Sequence, residues 1–266
     1  MRWVILPLAF LLVAAQDGAS KKDKPAADKS KGLSASALIG KATAEIQKLK
    51  GFHVKITSQS GQNSANFDGL VKKDGVAVTG AAEVYAKGAS SLVKNGSSYV
   101  SPSELDVQAE PGRSAAAFRN PALQLAEIAE AGKAGGELAG DETVGEVEAK
   151  VARVSLSRAQ KEKLVKELVS KVKLPVPVGD PMQFIDIDKT TADYKLWVSK
   201  ADLRILKYEL HAKPELKAGL PIPGGGGGGG GGPVNIELTQ TVELSKFDEE
   251  LDWSIPKPVQ SKLGLK

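Results

Sequence analysis

The chain has 266 residues, 41% of them hydrophobic and 26% charged, with a formal net charge of +4 and no cysteine. The missing thiols exclude disulfide frameworks, iron–sulfur clusters and thiol nucleophiles, while two histidines, His53 and His211, argue against most transition-metal sites and serine-hydrolase triads. Aromatics at 5% supply few stacking platforms, and the positive charge lies largely in Arg2 and a lysine-rich segment near the amino terminus, so no basic face for nucleic acid is expected.

Met1-Arg2 precedes an uncharged apolar run from Val4 to Val13. The run is shorter than the roughly 20 residues that cross a hydrocarbon core and has the length of a signal-peptide core. Val13-Ala14-Ala15 places cleavage before Gln16; retention as an uncleaved anchor is the alternative. A lipoprotein signal would carry cysteine where Gln16 stands, so the chain offers no site for its own lipid anchor. An extracytoplasmic, periplasmic location is expected. Residues 16–32, with Lys21, Lys22, Lys24, Lys29 and Lys31 against Asp17, Asp23 and Asp28, read as a flexible leader. Residues 33–266 read as one domain.

The first helix is expected from Leu33-Ser34 to Gly51, with Leu38, Ile39, Ala42, Ile46 and Leu49 on one face. Phe52, Val54 and Ile56 then alternate with His53, Lys55 and Thr57, a half-buried strand. Further strands are expected at Asn66–Lys72, Val76–Gly80 and Glu83–Lys87. Asn95-Gly96 sets a hairpin between Leu92 and Val100. Asn120-Pro121 opens a second helix that Gly132 closes. Residues 137–139 and 143–156 read as a strand pair turning at Asp141-Glu142. Ser157 to Gln160 is a capping box on a third helix whose stripe is Leu164, Val165, Leu168, Val169 and Val172. Tyr194–Ser199 and Leu203–Ala212 form a hairpin around Lys200-Ala201-Asp202, and Val234, Ile236, Leu238, Val242 and Leu244 alternate along a last strand. The short spacing of the strands excludes repeated parallel crossovers. The fold class is α+β: one antiparallel sheet with helices on one face.

Gly224 to Gly232 is an unbroken glycine run between Pro223 and Pro233. No Lys-Ser/Thr follows it, so it is no phosphate loop, and it reads as a spacer, with a hinge at a cavity mouth as the alternative. His53 and His211 have no ligand spacing, even with Glu209 or Asp186 as added carboxylates. Asp186-Ile187-Asp188 lacks the glycine and distal glutamate of a calcium loop. No metal or cofactor is expected, and no Gly-x-Ser-x-Gly elbow marks a hydrolase.

The order of several motifs resembles one family. A helix leads into Gly51-Phe52; Glu142 to Val151 runs into Val154-Ser155-Leu156 and a helix; Tyr194 to Lys200 is followed by Leu203 to Tyr208; and the chain closes on Phe247-Asp248 and Ile255-Pro256-Lys257-Pro258. This order resembles the LolA/LppX superfamily of bacterial envelope carriers over about residues 33–263. The resemblance implies a strongly curved antiparallel half-barrel, helices across its concave face, and a cavity that holds lipid or the acyl chains of a lipoprotein. The expected protein is then a noncatalytic carrier or sensor, monomeric, touching a membrane or an envelope protein only transiently. Each buried methylene of a ligand would contribute about 0.8 kcal/mol. The same apolar stripes equally describe a filled core, which makes a structural or interaction domain the alternative. The candidate ligand-binding residues are Phe52, Val54 and Ile56 on one strand, Leu206, Tyr208 and Leu210 on another, and Leu164 and Leu168 from the third helix as a lid.

Overall fold

Ser34 caps the first helix, α1 (Ala35–Lys48), its hydroxyl accepting from the Ala37 amide, and Leu38, Ile39, Ala42 and Ile46 are buried along one side. The structure is a computed structural model and describes residues 27–60, 63–106, 109–170, 180–217, 237–250, 252 and 254–265. The expected signal segment, most of the leader, Val172, Val234, Ile236 and the glycine run lie outside the described residues. The packed body begins ahead of Leu33, because the Lys29 amide donates to the Lys200 carbonyl at 2.8 Å and Ser30 is buried.

Six strands follow in meander order: β1 (Gly51–Ser60), β2 (Asn63–Lys72), β3 (Gly75–Gly80), β4 (Val84–Lys87), β5 (Ser90–Asn95) and β6 (Ser98–Val100). The short helix α2 (Gly112–Ala117) and the longer α3 (Pro121–Ala134) come next, then β7 (Glu137–Val144), β8 (Val147–Ser155), α4 (Arg158–Ser170), β9 (Ile185–Ser199), β10 (Ile205–Leu216), β11 (Leu238–Ser245) and α5 (Lys257–Leu263). All join in one 11-stranded sheet of order β6-β5-β4-β3-β2-β1-β11-β10-β9-β8-β7, with every pairing antiparallel. The first six strands build outward from β1. The last five build inward from β7, so that β11 docks against β1. The edges β6 and β7 do not pair, which leaves an open α+β half-barrel.

Period-two alternation puts one side of each strand inward. Val54, Ile56, Phe67, Val78, Val84, Val154, Leu196, Leu210 and Val242 meet Leu38, Ile39 and Ile128 of the helices in one continuous apolar cluster. Such side chains each contribute about 1.5–3 kcal/mol when buried, so the sheet and its helices stand or fall together. The outer face carries smaller clusters: α5 covers Tyr85 and Leu92 through Ile255, Val259 and Leu265, and Trp197 packs with Ala149 and Val151.

Several expected boundaries shift, two of them for steric or electrostatic reasons. Gly132 does not close α3, which runs on to Ala134 with Gly135 as its cap. A Cβ at Gly132 would stand 2.5 Å from Ile39 Cγ2, and the Ser36 hydroxyl donates to the Gly132 carbonyl at 2.7 Å. Glycine is there for the close approach of α1 and α3. The β7–β8 turn falls at Gly145-Glu146, with Gly145 at φ 60°, and not at Asp141-Glu142. Those carboxylates lie within β7, where Asp141 pairs with Lys150 and Lys200 at 2.8 and 2.9 Å, and Glu142 accepts from Lys195 and from the Trp197 indole at 2.9 and 2.7 Å. Charge there reflects cross-strand pairing rather than a loop. Strand β10 likewise runs past Ala212, since Leu216 pairs with Ile185.

Candidate functional site

Seven of the eight candidate residues face the interior. Phe52, Val54 and Ile56 of β1, Tyr208 and Leu210 of β10, and Leu164 and Leu168 of α4 are all buried in the central cluster. Leu206 is not with them. It packs against Ala149, Val151 and Trp197 on the outer face, because the β9–β10 ladder slips by one residue between Ile205 and Lys207. The bulge gives Leu206 no partner position and turns Ile205 inward in its place. Strict alternation therefore misassigned Leu206 while placing Tyr208 and Leu210 on the expected side.

Helix α4 is built as the capping box requires. The Gln160 side chain accepts from the Ser157 amide at 3.0 Å, and the Ser157 hydroxyl accepts from the Gln160 amide at 3.3 Å. The stripe on α4 divides: Leu164 and Leu168 reach the central cluster, whereas Val165 and Val169 meet Ile185.

Polar side chains inside the cluster tie the helices to the sheet. The Tyr208 hydroxyl donates to Gln124 Oε1 at 3.2 Å, and Gln124 Nε2 donates to Gln240 Oε1 at 2.7 Å, which pins α3 to β10 and β11. Gln240 Nε2 and the hydroxyl of Ser58, its cross-strand partner, are buried without a hydrogen-bond partner. Each costs about 1–3 kcal/mol. Arg119, just ahead of α3, is 5% exposed and lies 3.3 Å from Glu127 and 3.1 Å from Glu167. Tyr194 donates to the same Glu127 at 2.8 Å. Burial alone would lower the Arg119 pKa; Tyr194, Glu167 and Glu127 outweigh it and hold the guanidinium above its ordinary value. Burial also pushes up the Tyr194 and Tyr208 phenols, so both remain donors at neutral pH.

A cavity of about 250 Å³ opens between α1, α3 and the end of the sheet where β1 and β2 meet. Ile46, Leu49, Phe52, Val71 and Leu125 form its apolar wall, and each is buried. Of the candidate residues, Phe52 lines it. The inward row then continues along β1 from Phe52 through Val54 and Ile56 to Ser58, about 20 Å at 3.3 Å per residue. Sequence reasoning missed Leu125 and Val71 as cavity residues, although the first lies on the helix expected after Asn120-Pro121 and the second on the strand expected at Asn66–Lys72. A second cavity, about 470 Å³, lies beyond the end of α3 and is lined by Glu137, Arg153 and Asp193, a polar setting unsuited to hydrocarbon.

The outer face holds a hydrogen-bonded row. His53 Nε2 is 2.8 Å from Asp68, and His53 Nδ1 is 3.4 Å from the Ser245 hydroxyl. Serine, histidine and aspartate in contact suggest a hydrolytic triad. His53 pairs with both Ser245 and Leu70, and Asp68 with both Lys55 and Thr79, so the row also reads as cross-strand polar pairing on a sheet face. His211 contacts Glu237 at 3.1 Å on β10, with β11 between it and the His53 strand. Asp188 pairs with Arg158, and among the described residues no group of three or more possible ligands gathers to hold a metal ion. No described helix is long and apolar enough to cross a membrane.

The fold and the cavity together define an open antiparallel half-barrel with an apolar, helix-covered concave face. The chain is similar to the lipoprotein LppX of Mycobacterium tuberculosis, with 12% identity over 83% of this chain and 98% of that one and a TM-score of 0.44. It is similar to LprF from Mycobacterium bovis, at 12% identity over 84% and 96% and a TM-score of 0.38. It is also similar to a LolA superfamily protein from Nitrosomonas europaea, at 13% identity over 85% and 97% and a TM-score of 0.27. No protein-family model matches the chain, and no curated protein does.

Proposed function

We propose that this protein is a noncatalytic exported carrier that holds the hydrocarbon chain of a lipid, or an acyl chain of a lipoprotein, between its helices and the concave face of its sheet. The observation that carries the reading is the apolar cavity at Phe52, Val71 and Leu125, which opens from solvent directly onto the continuous inner cluster. Six methylenes placed against such a wall would contribute about 5 kcal/mol, before the cost of association. No reacting group is needed for that task. The same interior row accounts for Phe52, Val54, Ile56, Tyr208 and Leu210 as ligand-facing positions, with Leu164 and Leu168 above them. Leu206 is withdrawn from that set.

The ties from Gln124 to Gln240 and from Arg119 to Glu167 favour a second reading, in which the interior stays closed and the domain serves structure or interaction. Titration of the delipidated protein with a fluorescent fatty acid separates the two. Saturable binding is expected. Ala126→Trp, at an exposed position of α3 that lines the mouth, fills the opening without entering the core and should weaken binding at least ten-fold. Wild-type protein that shows no saturable binding would return the domain to the structural reading.

A further inference from the structure

The mouth of the apolar cavity carries charge of one sign. Its charged lining residues are Lys50, Lys72 and Lys73, and no carboxylate lines it. Their meeting is a product of register: Gly51 pairs with Lys72 across β1 and β2, which brings Lys50 to the Lys72–Lys73 end of β2. Lys50 and Lys73 are exposed, and Lys72 is half-buried. Asp248 and Asp74 stand nearby but are not among the lining residues. Asp248 accepts from the Lys50 amide at 2.6 Å, and Asp74 lies exposed on the β2–β3 turn, outside the cavity lining. Of the other polar lining groups, the Thr43 hydroxyl donates back to the Ile39 carbonyl at 2.9 Å.

From this arrangement we infer that the site selects an anionic amphiphile: an acyl or alkyl chain seated on Phe52, Val71 and Leu125, with a phosphate or carboxylate head group held at the lysine rim. The inference rests on the proposal that the cavity takes a lipid chain. The two parts of the site have separate tasks. The apolar wall supplies affinity in proportion to the chain buried. Exposed ammonium groups each add little on their own but together discriminate by charge and steer approach, both more strongly at low salt. An ammonium meets phosphate or carboxylate as a point charge without demanding one geometry, so the rim sorts by sign rather than by head-group shape.

The test uses chains of one length with different heads: dodecyl phosphate, dodecanoate and the neutral dodecyl maltoside, each displacing a fluorescent neutral chain from the full protein. At low salt the two anions are expected to bind about ten-fold more tightly than the maltoside, with the preference shrinking as salt rises. In Lys50→Gln/Lys72→Gln/Lys73→Gln the anion-to-neutral ratio should fall to about one. Preference for phosphate alone would assign the site to phospholipid-type heads, and preference for both anions would admit fatty acids. Equal binding of all three probes by the wild type, or a ratio that survives in the triple variant, overturns the inference while leaving chain binding intact. Failure of every probe to bind overturns the lipid reading and this inference with it.

Discussion

Arg119→Met is expected to lower the stability of the protein by about 3–5 kcal/mol, the usual result of removing one partner from a buried ionic cluster. The guanidinium is 5% exposed and stands between Glu127 of α3 and Glu167 of α4, with the Tyr194 hydroxyl of β9 in contact at 3.4 Å. Methionine keeps most of the volume but leaves two carboxylates facing each other beneath the helices. In a domain of this size the midpoint of thermal unfolding should fall by on the order of 10 °C. Removing the charge altogether, in Arg119→Met/Glu127→Gln/Glu167→Gln, should recover much of the loss, since well-packed neutral groups often replace a buried ion cluster at little cost. If the single variant loses less than about 1 kcal/mol in urea denaturation, Arg119 is solvated in solution and does not clamp the helices.

The second large effect is a contrast between two leucines on one strand. Leu210→Glu introduces a carboxylate at a position with no exposure, within the central cluster. It should cost more than about 4 kcal/mol or prevent folding, because a carboxylate there gives up apolar contacts and loses its hydration on burial. Leu206→Glu, four residues earlier, should cost about 1 kcal/mol or less: the side chain lies half-buried on the outer face beside Trp197, where Lys195 and Lys207 stand over the indole ring at 4.3 and 4.5 Å. Circular dichroism and denaturant midpoints of the two proteins decide it. Equal damage from both would mean that the bulge is absent and the strand alternates without interruption.

That pair also shows how far the sequence could be read. Local signals fixed local structure: the Ser157–Gln160 box, the Asn120 cap and the alternation on β1 all stand in the structure, as does the hairpin at Gly96, although its turn is Gly96-Ser97 and Asn95 ends the strand paired with Ser98. They work because each depends on residues a few positions apart. The bulge at Leu206 had no such signal, as Leu206, Tyr208 and Leu210 alternate faultlessly in the sequence while the slip is set by pairing with Trp197 and Val198. Strand β9 begins at Ile185, well ahead of Tyr194, because Asp186 and Asp188 look like loop residues until Lys189 and Arg158 are seen to pair with them. Helix α2, a short run of small residues, and α5, opened by Pro256 and Pro258, carry too little apolar periodicity to be found.

The candidate site divides in the same way. Its apolar rows were legible because burial imposes a period on strands and helices. The Arg119 cluster was not, since two of its three partners, Glu167 and Tyr194, lie 48 and 75 residues away in the chain. Nor was the lysine rim, which exists only through the pairing of β1 with β2.

The central claim, that a hydrocarbon chain lies between the helices and the concave face, is tested most directly by nuclear magnetic resonance of the protein with a stearate carrying a nitroxide on its chain. The label should broaden the signals of Phe52, Val54, Leu125 and Leu210, in an order that follows the nitroxide's position along the chain, while Leu206, Ala149 and Trp197 on the outer face stay sharp. Broadening confined to the outer face, or spread evenly over both faces, would contradict the account.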